Sequence, residues 1–271
     1  MPTEQHTQGK VPARRDHLVA ALAVAAIVTL FLAPPHGLLD KADQAAFAVC
    51  HRIPDRTFII AGRPLPLCAR CSGMYLGVLA GLAVLALRGR GQASMSPAPK
   101  HLAVFSVFLV AWAVDGLNSF LTLVPGLPHL YEPHNLLRLA TGTLEGLAIA
   151  ALMLPAFNRS LWAELPPMPS VGCWQDIAWM LAGGALVAGM VTSGLPFLLY
   201  PLALFSGLAI VALLGAVNTV FVLLILRRDG QMTSWRQAAV PLLIGLALAM
   251  IELAVVGLGR TALEAWLGTS W

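Results

Sequence analysis

Three of the four cysteines lie close together, Cys50, Cys68 and Cys71, and His51 directly follows the first. The pattern is C-H-x16-C-x2-C. The second pair opens onto an uncharged apolar run beginning at Ser72, so it is expected on the first turn of a membrane helix. There the partial positive charge of the helix N-terminus and the neighbouring Arg70 both favour thiolate, the form that binds metals and attacks disulfides. Three Cys and one His would make a tetrahedral zinc site, with iron as the second choice. Adjacent residues of a helix point about 100° apart. Cys50 and His51 can therefore share an ion only where the backbone leaves the helix, and Pro54 favours such an exit. If His51 points elsewhere, the site has three thiolates and one open position. An attached c-type haem needs His directly after C-x-x-C, and residue 72 is Ser. The same cysteines could instead be oxidised to a structural or redox-active disulfide on the outer side of a bacterial membrane. Cys173 stands far along the chain and reads as a solitary thiol.

A second constellation follows. Asp115 and Asn118 are three residues apart and share a helix face. Asn135, Arg138, Thr141 and Glu145 recur at steps of three and four on the next apolar segment, just after His134. Charged groups inside a bilayer cost a few kcal/mol or more and usually face a bundle interior or an aqueous cavity. One reading is an Asp115–Arg138 ion pair that only ties two helices together. The other is a pocket for an anion or polar headgroup, with Arg138 as a forked donor and Asp115 as base or orienting partner. Those two are the candidate catalytic residues. Arg52, Arg56, Arg70, Asn118, His134, Asn135, Thr141 and Glu145 are the candidate substrate-binding residues. Glu252, alone in the last span, reads as structural.

The elements that must position these residues follow from composition. Of 271 residues, 58% are apolar and 11% charged. A soluble domain is typically about 25% charged, so a soluble enzyme, a disordered chain and an ordinary nucleic-acid binder are excluded. The fold class is an all-α polytopic membrane bundle. Spans of about 20 residues fit residues 18–39, 72–87, 101–125, 139–157, two within the uncharged run 177–226, and 238–258, which makes seven. Pro196, Tyr200 and Pro201 mark the break inside the long run. The chain then divides into a tail (1–17), a four-span region carrying the motifs (18–157) and a three-span C-terminal region (158–271). Residues 88–100 read as a short flexible linker. The first span is long and is followed by Ala33-Pro34-Pro35, a poor cleavage site, so it is expected to be retained rather than removed as a signal peptide.

With the N-terminus in the cytoplasm, ten Lys and Arg lie on the inner side and seven on the outer, five of the seven in residues 40–71. The positive-inside rule then places the N-terminus inside, the protein in the inner membrane and the Cys/His loop on the outer face. Parity adds a conclusion that does not depend on orientation. Residues 40–71, the end of span three and the start of span four each follow an odd number of spans, so both constellations belong to one membrane face.

The run Cys50-His51-Arg52-x-Pro54-x-Arg56-Thr57-Phe58, then Gly62, then Pro66-Leu67-Cys68-Ala69-Arg70-Cys71-Ser72-Gly73-x-Tyr75-x-Gly77 resembles the signature of an uncharacterised prokaryotic family of predicted membrane proteins, a domain of unknown function. Asp115-Gly116 and Asn135-Leu136-Leu137-Arg138-Leu139-Ala140-Thr141-Gly142 look like its later blocks. The resemblance covers roughly residues 20–155. It implies that these blocks form one unit and carries no activity with it.

Three functional classes remain open. One is a metal-dependent protein whose arginines bind an anionic lipid or isoprenoid headgroup at the bilayer, with a metal-bound water as nucleophile if it is an enzyme. The second is a thiol–disulfide redox protein using Cys68 and Cys71, with Cys50 as relay. The third is a transporter or assembly subunit with a structural metal site. Nucleic acid is not an expected partner. No phosphate-binding G-x-x-x-x-G-K-[ST] loop, H-E-x-x-H or G-x-S-x-G motif occurs.

Overall fold

A computed structural model describes residues 14–124 and 126–268. Most of the expected tail 1–17, and Pro125 at the end of the third span, lie outside the described residues. Eight α-helices occur among the described residues: α1 (Arg14–Leu32), α2 (Leu38–Val49), α3 (Ala69–Leu87), α4 (Pro99–Leu121), α5 (Asn135–Leu161), α6 (Trp174–Thr192), α7 (Leu199–Ile225) and α8 (Trp235–Leu267). Six of them, α3 to α8, are long and apolar enough to cross a membrane. α1 adds a shorter apolar stretch, Asp16–Leu32, laid along α8. The protein is an all-α polytopic bundle.

Several boundaries differ from the sequence reading for local reasons. α1 stops at Leu32, just before Pro34 and Pro35, rather than continuing to residue 39. The next segment folds as a separate amphipathic helix, α2, which buries Leu39, Ala42 and Ala46 at steps of three and four and packs against α7 and α8. The long apolar run breaks at Gly194 (φ 66°) and a 3-10 turn at Pro196–Leu198. Tyr200 and Pro201 fall in the first turn of α7, where a proline's missing N–H costs nothing. The expected flexible linker is instead bonded in place. The N–H groups of Ser94 and Met95 donate to Met168 O, Ser170 N–H donates to Met95 O, and Asn158 Nδ2 donates to Gly91 O and Ala93 O.

The centre of the bundle is the α3–α5 pair. Gly73 of α3 lies against the α5 backbone at Leu139 and Thr143, Gly77 against it at Thr143 and Gly146, and Gly81 against Ala150. A Cβ at Gly142 would collide with the Arg70 carbonyl, and one at Gly146 with the Met74 carbonyl. Small residues at four-residue spacing let two membrane helices approach to backbone contact. This contact brings the first turns of α3 and α5 side by side, so Arg70 and Arg138 are neighbours. The other helices surround this pair: α4 against α5, α6 against both, and α7 against α3, α5 and α8.

The two ends of the bundle have different connections. One, the motif face, carries residues 33–68, the α4–α5 connection and the C-terminal end of α8. The opposite face carries the α3–α4, α5–α6 and α7–α8 connections, joined by short bridges at Met95–Pro169 and Trp162–Met232. The start of α1 lies there too, where Asp16 is 3.9 Å from Arg228.

Candidate functional site

The three cysteines of the motif meet. α2 ends at Val49, and Cys50 takes an extended conformation (φ −134°, ψ 143°) while its N–H still bonds Ala46 O at 2.9 Å. A short turn at Pro54–Arg56 and the hairpin of β1 (Ile59–Ile60) and β2 (Arg63–Pro64) return the chain to Cys68. Cys68 is the N-cap of α3 and Cys71 sits in its first turn, as the C-x2-C spacing predicts. The sulfurs of Cys50, Cys68 and Cys71 all lie within 4.8 Å of one another, and all four cysteines of the chain are free. Cys50 and Cys68 are buried, Cys71 partly so, against Ala46, Leu67, Tyr75, Ala209 and Ile210. The Cys68 N–H points at Cys50 Sγ at 3.4 Å. Hydrogen bonds from Cys68 and Cys71 hold the Cys50 thiol far below its ordinary range, and donating to Cys50 pushes Cys68 up to about 11. The hydrogen bonds among the three thiols therefore favour loss of one proton from the cluster.

His51 is not among the converging ligand atoms. The helix does end where Pro54 suggests, and the His51 side chain hydrogen-bonds the Cys50 thiol while staying outside the group of three converging sulfurs. His51 is exposed, with Nδ1 3.4 Å from the Ile53 N–H. Arg52, in the left-handed region at φ 54°, turns to Asp43 at 2.9 Å. Asp43 and Asp40 also hold Arg63, whose pKa they raise. These two arginines are charge-balanced on α2 and do not join the pocket described next.

That pocket lies between the motif-face ends of α3, α4 and α5. Asp115, 1% exposed, pairs with Arg70 rather than with Arg138. The Asp115–Arg138 pair of one of the two readings is replaced because the glycine contact sets the first turn of α3 beside α5. Arg70 Nε lies 3.2 Å from Asp115 Oδ2, and Nη2 donates to Asp115 O at 3.1 Å. The Tyr131 hydroxyl donates to Asp115 Oδ1 at 2.9 Å, and the Thr141 hydroxyl lies 3.1 Å from Oδ2. Burial and the bond to Asp115 raise the pKa of Tyr131. Arg138, 6% exposed, donates to Ser119 Oγ at 3.3 Å and Asn135 Oδ1 at 3.0 Å. Arg56 donates to Ser119 O at 3.2 Å and lies 3.5 Å from Thr122 Oγ1. Its pKa is lowered by burial and by Arg70. Arg70 Nη2 also donates to Ser119 Oγ, at 3.0 Å. Three guanidiniums thus converge on one serine.

The remaining candidates divide. Asn135 lies in the pocket and donates to Asp55 O at 3.0 Å. Asn118 is buried but fully used by the α4–α5 connection: Nδ2 donates to Tyr131 O, and Oδ1 accepts from Leu130 N–H. His134 caps α5 and is exposed. Glu145 is buried two turns below Arg138, with Oε2 unpartnered among the described residues. Glu252 bonds Asn218 across the α7–α8 contact at 2.9 Å, as its structural reading predicts. Cys173 lies on the opposite face at the N-cap of α6.

Three residues were not singled out by sequence. Ser119 is one turn after Asp115, a spacing that could have revealed it. Tyr131 sits in a connection without periodicity. Arg260 of α8 is far away in the chain, yet its Nη1 donates to Cys50 O at 2.5 Å and Phe47 O at 2.9 Å, and its guanidinium lies over the Phe47 ring at 4.2 Å.

The bundle and its clustered thiols define a polytopic helical membrane protein with a three-cysteine cluster at one face. Residues 50–152 match the family described as Predicted membrane protein (DUF2085), and the chain belongs to that family. An uncharacterized protein of Methanocaldococcus jannaschii is 32% identical over 116 residues, which is 43% of this chain and 68% of that protein. An uncharacterized protein of Methanothermobacter thermautotrophicus is 31% identical over 104 residues, 38% of this chain and 83% of that one. No solved structure matches the chain. The matched segment runs from Cys50 into α5 and so contains both the thiols and the arginine pocket, while α6 to α8 and Arg260 lie beyond it.

Proposed function

We propose that the protein is a membrane metalloprotein in which Cys50, Cys68 and Cys71 hold zinc at the outer face of the inner membrane. The reading rests on one observation: three sulfurs from two separate segments lie within 4.8 Å of one another. Zinc–sulfur bonds of about 2.3 Å in a tetrahedron put sulfurs roughly 3.8 Å apart, so the cluster suits such an ion with little movement. The fourth position is left to water or, after rotation, to His51. Three protein ligands and one open site are the pattern of a reactive zinc rather than a closed structural one. The arginine pocket on the same face would receive the anionic headgroup of a lipid or isoprenoid.

The test is metal content. Purified protein is expected to carry about one equivalent of zinc, lost in the Cys50→Ser/Cys68→Ser/Cys71→Ser triple variant. Metal-free wild-type protein that takes up no zinc on titration would overturn the reading. A second reading, thiol–disulfide exchange, is favoured by three free thiols held together and by the partly accessible Cys71. Trapping of thiols in cells separates the two: a redox protein shows interconverting reduced and oxidised forms, and a zinc site does not.

A further inference from the structure

We infer that Arg56, Arg70 and Arg138 form a binding site for a phosphate-type oxyanion. The inference deepens the reading of the pocket given above, and it does not require the metal. Asp115 is the one carboxylate that bonds this cluster among the described residues, and it already accepts from Arg70, Tyr131 and Thr141. Arg56 and Arg138 have no carboxylate partner among the described residues. Arg138 uses two of its five N–H donors, the longer bond at 3.3 Å, and is nine-tenths buried. Protein acceptors therefore leave donors free on a buried cation.

The placement deepens the surplus. Arg70 is the second residue of α3 and Arg138 the fourth of α5, so both cations stand in first turns, where the helix dipole favours an anion. Converging guanidiniums at two helix N-termini supply a concentrated set of positive donors matched to a tetrahedral oxyanion. Ser119, held by all three arginines, fixes their mutual orientation. The same chemistry could arrive as free phosphate or as the phosphate of a membrane lipid.

Full-length protein in detergent is titrated with inorganic phosphate by calorimetry, and the protein in nanodiscs is compared with and without phosphatidic acid. Saturable binding near one equivalent is expected, weakened about tenfold or more in Arg138→Gln and in Arg56→Gln, and unchanged in Arg88→Gln on the opposite face. The Arg56 change lies in the connecting turn and guards against a folding defect at Arg138. If phosphate alone binds and phosphatidic acid adds nothing, the ligand is a free oxyanion. If binding is strong only with phosphatidic acid and still needs Arg138, it is a lipid headgroup. Absence of saturable binding of both probes, or equal binding by the two variants and wild type, overturns the inference. Repeating the titration on the triple cysteine variant separates the two proposals, since phosphate binding without zinc upholds this one and a zinc-loaded protein that ignores phosphate upholds only the other.

Discussion

The bundle carries a buried Asp–Arg cluster at each end, and the two are built on opposite principles. On the opposite face Asp176 is the third residue of α6 and accepts the N–H groups of Gly172 and Cys173, so it caps a helix start that favours a negative charge. Its partners Arg88 and Arg90 follow the end of α3, which favours positive charge, and their side chains are 34% and 22% exposed. Water can solvate any charge that Asp176 does not balance. On the motif face two arginines occupy helix starts, a single sealed carboxylate bonds them among the described residues, and Arg138 is nearly dry. Like charges 4 Å apart at a partly buried site cost about 4 kcal/mol. The first cluster is what helix ends assemble for stability. The second sets cations at helix starts, the arrangement that the proposed oxyanion would relieve.

The comparison is tested first at the aspartates. Asp115→Asn removes the one carboxylate that bonds the three converging guanidiniums among the described residues, and stability should fall by about 3–5 kcal/mol, the usual cost of breaking a buried pair. Phosphate should restore much of it by replacing the lost negative charge. Asp176→Asn should cost less and gain nothing from phosphate, because Arg88 and Arg90 rehydrate. Thermal melts of both variants, with and without phosphate, give the answer. Equal losses and equal responses would erase the distinction between the clusters.

The next effect concerns the support of the motif face. α8 has 33 residues, on the order of 50 Å, well beyond a hydrocarbon core of about 30 Å. Its extra turns carry Arg260 to the carbonyls of Phe47 and Cys50, binding the end of α2 and the first thiol to the C-terminal helices. Arg260→Ala should weaken zinc affinity about tenfold, as outer partners of metal ligands commonly do, with Arg260→Lys recovering part of it. Competition with a chromophoric chelator measures both. The opposite-face cluster makes no such bond to the cysteine segment among the described residues, so Arg88→Gln should leave metal affinity unchanged.

A smaller effect has opposite signs at the two ends. Arg138→Gln removes a like charge and should leave stability equal or raised by about 1 kcal/mol, while weakening phosphate binding about tenfold or more. Arg88→Gln breaks a bond that helix ends favour and should lower stability. Paired denaturation curves decide it, and a loss in both would mean that Arg138 is structural.

What could be read in advance was what is local in the chain. The C-x2-C pair at a helix start follows from four consecutive residues. The stripe of Asn135, Arg138, Thr141 and Glu145 follows from helix period. Parity placed both constellations on one face without any pairing being known. Partners across helices were harder. Neighbouring spans suggested Asp115–Arg138, but the glycines at residues 73, 77, 81, 142 and 146 decide which first turns touch, and they select Arg70. Their four-residue spacing was a readable signal. His51 bonds the Cys50 thiol but stands outside the three converging sulfurs, a placement set by the left-handed turn at Arg52 that residue types alone do not announce. Arg260 is separated from Cys50 by 210 residues, and no local pattern announces it.

Glu145 gives the smallest and sharpest test of the charge argument. It lies on the Arg138 stripe, yet it makes no hydrogen bond among the described residues, and Oε2 is sealed. A carboxylate that balanced the surplus guanidiniums would bond one of them, as Asp115 does. Glu145→Gln should therefore change stability by less than about 1 kcal/mol, since no partner is left unpaired by the substitution. Phosphate affinity should move less than threefold, and in either direction. A loss comparable to that of Arg138→Gln would mean that Glu145 takes part in ligand binding. A tenfold gain would mean that it supplies the counter-charge to Arg70 and Arg138, and the motif-face cluster would then be balanced like its counterpart at the other end.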